Sequence, residues 1–479
     1  MKRFRITTMS GMIISLLMPG CASEQNGYEL DHYNSPAIRS IAHSSIAAGN
    51  IPDTPRLPEL TESSGLSDYL AYAALNNAGL EAAFNRWKAA LEQVPQVKAL
   101  PDPRFTYLYY IQEVETRVGP QRQGIGIAQV FPWFGKLSLR GDVAAEAANA
   151  VRKRYDVVKL KLFFEVKDAY YEYYYLAKNV AVTKENINLV KHLESVARSR
   201  YKASVGIHPD VIRAQVEIGK LEDRYQTLLD LRQPIVARLN AALNRPIEAD
   251  IPWPSEINVQ DVNLEDEDLL TELMAENPEL KALDFEIDRN KHAIELAKKD
   301  YYPNFNLGLN FIDTGSSPVG NPPDDGKDPV TAMISINLPL WREKYDAGVR
   351  EARARYYAAR QDRTEKTNSL SSELKLASYR FRDAGRKIDL YGNALLPKAR
   401  ESLKATETGY LATTQTFTDL IDAQRIFLEF ALAYERALTD HAQSLAKLEM
   451  LVGREIPRAG NENEPADANN KETVETREN

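Results

Sequence analysis

Two periods alternate along the chain. From residue 136 to about 203 there is no proline and good helix formers dominate. From Asp210 onward, Val211, Ala214, Ile218, Leu221, Tyr225 and Leu228 recur at steps of three and four, the seam of helices that pair. At 1.5 Å per residue the first stretch predicts a helix roughly 100 Å long, which needs the support of a coiled coil or similar bundle. Pro234 is expected to bend or break the second helix locally. Elsewhere the period drops to two. In 304–312, Phe305, Leu307, Leu309 and Phe311 alternate with Asn304, Asn306, Gly308 and Asn310. In 330–338, Val330, Ala332, Ile334, Ile336 and Leu338 alternate with Thr331, Met333, Ser335 and Asn337. Both stretches predict strands with one apolar and one polar face, joined by a Gly/Pro/Asp loop. A second pair, 104–114 and 124–131, alternates less strictly around a shorter loop at Gly119 and Pro120. Its Tyr107, Tyr109 and Tyr110 suit an aromatic interface band.

The pattern is written twice. "YKASVGIHPDVIRAQ" begins at Tyr201 and "YLATTQTFTDLIDAQ" at Tyr410, an offset of 209 (410 minus 201). Ala203, Asp210, Ile212, Ala214 and Gln215 fall on Ala412, Asp419, Ile421, Ala423 and Gln424. Upstream, "QVFPWFGKLSLRG" and "INLPLWREKYDAG" set Pro132 opposite Pro339 and Gly141 opposite Gly348. A proline there stops a sheet ladder and admits the chain to a helix. The repeated unit reads helix, hairpin, Pro turn, very long helix, polar turn, helix. Expected boundaries are a first repeat at 66–245, a connector at 246–265 with three prolines, and a second repeat at 266–456.

The ends differ from this body. Lys2, Arg3 and Arg5 precede the apolar run Met12–Met18, then Pro19, Gly20 and Cys21. Residues 1–20 have the build of a secretory signal, too short to span a bilayer. A small residue before Cys21, the only cysteine, resembles a bacterial lipobox, although Met18 and Pro19 depart from its preferred residues. It implies cleavage before Cys21 and acylation there, with Ala22 resembling an outer-membrane address. A plain secreted protein is the alternative. Residues 21–65 read as an N-terminal arm, and 457–479, nearly devoid of apolar side chains, as a disordered tail.

Composition then narrows the function. With 60 basic and 68 acidic residues the formal charge is −8, so a nucleic-acid surface is not expected. No apolar run reaches the roughly 18 residues of a membrane helix. The six histidines show no metal-ligand spacing, and no phosphate, dinucleotide or nucleophile motif appears; no metal, cofactor or catalytic site is expected. His208 reads as a turn residue, and the tyrosines of 170–178 as packing between helices. Strands of this length with one apolar face suit an outer-membrane barrel. Phe305, Leu307, Leu309, Phe311, Ile334 and Ile336 would face lipid. Four strands cannot close a barrel, since known barrels start at eight, so copies must share one. Three copies would give twelve strands and room for a lumen, which the long helices would extend as a tube.

The duplicated hairpins, the Pro-marked passages and the paired "Y…D-[VL]-I-x-A-Q" turns resemble the TolC-type outer-membrane efflux family over about 66–456. "FPWFGKLSLRG" is similar to the branch serving heavy-metal resistance-nodulation-division pumps. The resemblance implies a homotrimer with a twelve-stranded barrel continuing into a periplasmic α-helical barrel. Implied partners are outer-membrane lipid, a periplasmic adaptor and an inner-membrane pump of the resistance-nodulation-division type. It places the tip turns, with Gly206, Pro209, Asp210, Gln415 and Thr418, at the periplasmic end. It places Asp419 and Asp422 at a narrow acidic gate. Helix capping is the alternative for Asp419. Some relatives carry a latching Arg where Gln415 stands, and the first turn sets Arg213 against Asp422, so the two turns are not charge-equivalent. A lipid-anchored periplasmic coiled-coil adaptor or scaffold is the competing function; it accounts for the helices but not for four amphipathic strands.

Overall fold

The computed structural model describes residues 59–254, 262 and 265–458. Cys21, the signal segment, most of the arm and most of the tail lie outside the described residues. Helices α1 (Leu66–Asn76) and α2 (Ala78–Lys98) lead to strands β1 (Arg104–Val114) and β2 (Gln121–Phe131). Helix α3 (Lys136–Lys202) then runs unbroken for 67 residues, roughly 100 Å. Helix α4 (His208–Asp230) returns along it and stops at Leu231, and α5 (Arg232–Leu243) follows with Pro234 in its first turn, where a missing N–H costs nothing. The second repeat comprises α6 (Asp266–Glu276), α7 (Pro278–Lys299), β3 (Phe305–Thr314), β4 (Val330–Ile336), α8 (Arg342–Asp389), α9 (Leu396–Leu411) and α10 (Phe417–Val452).

The two long helices are not copies. Between α8 and α9 lies a π-helical turn, Leu390–Leu395. Gly141 and Gly348 are offset by 207, whereas Tyr201 and Tyr410 are offset by 209, so the second repeat carries two extra residues between these marks. Wider i→i+5 turns take up such extra length without breaking the helix. Pro397 follows; it lacks an N–H and its ring crowds the carbonyl four residues back, at Asn393 inside the wide turn.

The four strands form one antiparallel sheet in the order β1-β2-β3-β4. The β2–β3 pairing, with Phe131 opposite Phe305 and Ile127 opposite Leu309, joins the two repeats. Residues directly opposite share a face. One face therefore carries Phe105, Tyr107, Ile125, Ile127, Phe305, Leu307, Leu309, Phe311, Val330, Ala332, Ile334 and Ile336. The other carries Gly124, Gly126, Ala128, Asn306, Gly308, Asn310, Thr331, Met333 and Ser335. At Gly126 a Cβ would lie 2.2 Å from Asn310 Oδ1, so a side chain at this position would displace the Asn310 amide. Tyr107 and Tyr109, opposite Ile125 and Gln123, share the apolar face, and Tyr110 opens the stretch to Val114 in which the β1–β2 register shifts. Strands β1 and β4 are the sheet edges, each with a strand neighbour on one side only among the described residues.

The helices keep the order of the strands they adjoin, with α3 packed between α2 and α7 and α7 between α3 and α8. Three apolar clusters hold them. One joins α1, α2, α3 and α5 around Tyr69, Tyr170, Tyr173 and Leu239. The second joins the far halves of α3 and α4 to α9 and α10 around Leu193, Ala214, Phe417 and Leu420. The third joins α6, α7, α8 and α10 around Leu273, Leu374 and Leu448. The α4 seam behaves as its period predicts, with Val211, Ala214, Leu221 and Leu228 buried. Glu449 is buried on α10 between Lys167 Nζ (2.6 Å) and Arg458 Nη2 (2.7 Å), which ties α10 to α3.

The connector's first residues are fastened by one aromatic clamp. Tyr173 Oη donates to the Ile251 carbonyl at 2.9 Å and accepts from Arg232 Nε at 3.1 Å. Trp253 stacks on Tyr173 at 4.9 Å with the Arg232 guanidinium 4.8 Å from its ring. Tyr173→Phe leaves the ring and removes one of two donors from the Ile251 carbonyl, which keeps Arg232 Nη2 at 3.0 Å, while Arg232 Nε loses its acceptor. It is expected to cost about 0.5–1.5 kcal/mol, seen as a lower guanidinium midpoint and faster protease cleavage within 246–265; an unchanged midpoint would show the clamp to be incidental.

Candidate functional site

Two regions hold the residues that the sequence singles out: the helical tips farthest from the sheet, and the sheet with its passages into the helices. At the tips the repeat is exact down to backbone hydrogen bonds. Ala203 N–H donates to Ser199 O and Ser204 N–H to Tyr201 O, while Val205 and Gly206 both donate to Arg200 O. In the second tip Ala412 donates to Thr408, Thr413 to Tyr410, and Thr414 and Gln415 to Gly409. Ser204 (φ 60°) and Thr413 (φ 63°) adopt the left-handed conformation at equivalent positions, the turn that satisfies the last carbonyls of a helix. Neither residue is glycine, and each pays a local strain for the turn. Gly206 and Gln415 make the same bond, so Gln415 occupies a backbone role that asks nothing of its side chain.

The side chains of the two tips differ. Asp419 closes a capping box: Thr416 N–H donates to its carboxylate at 3.0 Å, Thr416 Oγ1 donates to it at 2.7 Å, and Asp419 N–H donates back to Thr416 Oγ1 at 3.2 Å. The Thr416 hydroxyl, then its backbone N–H, hold the Asp419 carboxyl below the usual range. Asp422 is exposed, with Arg425 Nη1 at 3.3 Å. In the first tip Pro209 sits in the opening turn of α4, as a residue without an N–H can. Asp210, the counterpart of Asp419, caps nothing with its side chain. It is buried, and Tyr410 Oη lies 3.4 Å from its Oδ2. Burial pushes its carboxyl up, and the Tyr410 hydroxyl and nearby Arg213 and Arg200 only partly offset this.

Four contacts tie the tips to each other. Arg213 donates to Thr418 Oγ1. Arg200 donates to the Leu411 carbonyl at 2.6 Å with its guanidinium 4.8 Å from the Tyr410 ring. The Asp210–Tyr410 pair is the third. Arg425 supplies the fourth, reaching buried Glu217 through Nε at 3.2 Å and Nη2 at 2.6 Å. Such a two-pronged pair is geometrically specific. The structure thus sets Asp422, Arg425 and Glu217 in line along the seam between α4 and α10, and Arg425 and Glu217 line a groove of about 450 Å³ there whose floor includes the buried Leu221, Leu428 and Leu432. Arg213 meets Thr418 rather than Asp422. Sequence reasoning missed Arg200, Tyr410, Glu217 and Arg425. The Asp422/Arg425 spacing of three was a legible helical pair, but Glu217 gives no local sign of its distant partner.

On the sheet, Leu307, Leu309, Ile334 and Ile336 are exposed, and Phe305 and Phe311 are on the same face. The passages into the helices are pinned by Asn304. Its Oδ1 accepts from Trp133 N–H at 3.1 Å and from Lys136 Nζ at 3.4 Å, and its N–H donates to Asn337 Oδ1 at 2.5 Å. Three chain crossings between strand and helix therefore meet at one residue, two at its side chain and one at its backbone.

A raised folded-state pKa has a definite sign. Stability contributed by neutral Asp210 is complete below the ordinary aspartate value and is lost as pH rises through the raised one. Asp210→Asn should therefore raise the apparent Tm at pH 7.5 and have much less effect at pH 3, below the ordinary aspartate value, where the carboxyl is neutral in the folded and unfolded chain alike. Asp419 runs the other way: its contribution persists above the ordinary value and disappears only as pH falls through the depressed one. Equal Tm changes at both pH values for Asp210→Asn would refute the assignment.

With this geometry in place, comparison with known proteins is informative. The profile described as outer membrane efflux protein matches residues 70–245 and 269–454. The outer membrane protein TolC of Vibrio cholerae is 20% identical over 327 residues, covering 65% of this chain and 72% of TolC. The cobalt-zinc-cadmium resistance protein CzcC of Cupriavidus metallidurans is 20% identical over 429 residues, covering 87% of this chain and 96% of CzcC. Among solved structures, CusC superposes with a TM-score of 0.70 at 14% identity, covering 85% of this chain and 99% of CusC.

Proposed function

The chain belongs to the outer membrane efflux protein family, and from that premise we propose that three copies assemble one closed channel with a gate at the helical tips. It is an outer-membrane channel component of an efflux system, reaching from the membrane into the periplasm. The observation that carries the assembly is the sheet: an exposed apolar face, an opposite face on which glycine, asparagine, serine and threonine stand among Leu108, Val130 and Ile312, and two edge strands with one neighbour each among the described residues. In lipid every backbone N–H and C=O must be paired, so β1 of one copy takes β4 of the next. Three copies make twelve strands, a barrel wide enough for a water-filled interior. Gly126, Asn310 and Thr331 then face that interior, and Leu309 and Ile334 face lipid.

The helices α2, α3, α7 and α8 extend the barrel as a tube, and the tips close its far end. Asp422 supplies the charge of the gate. Three symmetry-related carboxylates near one axis repel one another and attract cations. Asp419 starts helix α10, and its capping duty explains its engagement with Thr416. The partners on this reading are a periplasmic adaptor at the tips and an inner-membrane pump of the resistance-nodulation-division type. The likeness to CzcC favours heavy-metal cations as cargo. Acylation of Cys21 anchors the N-terminus to the same membrane.

Fractionation on a sucrose gradient tests the location: recovery in inner-membrane or soluble fractions would overturn the channel reading. Leu309→Arg is expected to cost about 2–4 kcal/mol if the side chain lies near the bilayer midplane, whereas Asn310→Arg on the other face should be tolerated; the fraction of heat-modifiable oligomer in vesicles reports both. In planar bilayers Asp419→Ala/Asp422→Ala should raise single-channel conductance and weaken cation preference. Asp419→Ala alone should mainly destabilise, by about 1 kcal/mol. Unchanged conductance in the double variant would remove the gate from this position.

A further inference from the structure

We infer that the collar where strands pass into helices binds the headgroup of an anionic phospholipid through Lys299, Arg342 and Lys344. The inference rests on the membrane reading of the sheet and adds a lipid class to it. Trp133 stacks on Tyr302 at 5.0 Å and on Phe305 at 5.6 Å, and Phe134 lies 6.4 Å from Phe305. Phe305 stands on the apolar face, so these rings share the side that meets lipid. Phe134 is 77% exposed and Trp341 78%, with Leu338 and Leu340 also exposed beside them. An apolar collar of this kind is unfavourable in water and suits the interfacial zone of a bilayer, where amphipathic rings concentrate.

On the helix side of that collar the charges are uneven. Lys299 Nζ lies 5.7 Å from the Tyr302 ring, which places this ammonium on the lipid side beside Trp133. Lys344 Nζ lies 5.8 Å from the Tyr345 ring, and Tyr345 is 5.6 Å from Tyr301 at the end of the preceding passage. Arg342 follows exposed Trp341 directly. Neighbouring cations are neutralised: Lys136 by Asp300 (3.1 Å), Lys298 by Glu295 (2.6 Å) and Arg350 by Glu343 (2.5 Å). Among the described residues Lys299, Arg342 and Lys344 have no carboxylate within ion-pair distance. Asp346 accepts from Tyr301 Oη and shares its surroundings with Arg342 and Arg350, which leaves the belt a smaller but still positive excess of charge, on side chains long enough to bury their stems and lift their heads into the interface. The opposite end of the sheet has the reverse character, with Glu113, Glu115, Asp313, Asp324, Asp325 and Asp328 outnumbering Arg117, Arg122 and Lys327. A phosphodiester carrying net negative charge complements the first belt and not the second. Continuity with the lipid-facing strands makes the occupant a phospholipid of the inner leaflet.

The test uses the full chain, delipidated and then exposed to vesicles of equal phosphatidylglycerol and phosphatidylcholine, with retained lipid read by native mass spectrometry. Each cation near an anionic surface is worth roughly fivefold in partitioning, so wild type should retain phosphatidylglycerol at least several-fold over phosphatidylcholine. Lys299→Gln/Arg342→Gln/Lys344→Gln should bring the ratio close to one. Lys299→Arg should preserve it, and Arg117→Gln/Lys327→Gln at the other end should leave it unchanged. Should the triple variant fail to fold, single Lys299→Gln is expected to lower the ratio severalfold. Equal retention of both lipids by wild type, an undiminished ratio in the variants, or displacement by inorganic phosphate would each overturn the inference. Insertion into pure phosphatidylcholine vesicles is scored separately. A wild type that inserts without lipid preference refutes only this inference, whereas one that inserts nowhere refutes the membrane reading itself.

Discussion

Backbone hydrogen bonding at the sheet edges is the constraint on which the rest of this structure depends. Four strands leave two edges open, and lipid offers no water to satisfy them. The apolar face cannot be left in water either, so the same sheet demands both a bilayer and further copies of itself. Everything attached to the sheet inherits that requirement. The helices α2, α3, α7 and α8 follow the strand order, and closing the sheet therefore closes the tube.

The junction between sheet and tube must hold two periods together, one of two residues and one of 3.6. Pro132 and Pro339 end the ladders, and Asn304 gathers the Trp133 amide and the buried Lys136 ammonium at its side chain and the Asn337 side chain at its backbone N–H. The aromatic rings stacked around Trp133 lie at this same level. The fastening of sheet to helices and the aromatic collar thus coincide in the fold.

At the far end the duplication supplies equivalence in the backbone and asymmetry in the side chains. Identical turns at Ser204 and Thr413 give the two tips one shape. Asp419 is spent on starting a helix, whereas its counterpart Asp210 is buried against Tyr410. The π-helical turn at Leu390–Leu395 distinguishes the second repeat further, whereas α3 runs unbroken. The second hairpin thus differs from the first in both charge and backbone, which is the ground on which the gate is proposed there.

Much of this was legible because periodicity is local. The 67-residue helix, the apolar strand faces, the Pro passages and the twofold text all follow from spacing along the chain, and so does the mismatch of Arg213 with Asp422. Capping was legible as an alternative for Asp419, since Thr416 three residues earlier writes half the box. What the sequence could not determine is which distant positions meet. The pairing of β2 with β3, the collar joining Trp133 to Tyr302, and the bond of Glu217 to Arg425 each link residues separated by most of a repeat or more. Their energies depend on closure and burial that no local window contains. Periodicity therefore determined the elements and their faces, and tertiary packing decided the partners, because a side chain's period records which way it points and not what stands opposite.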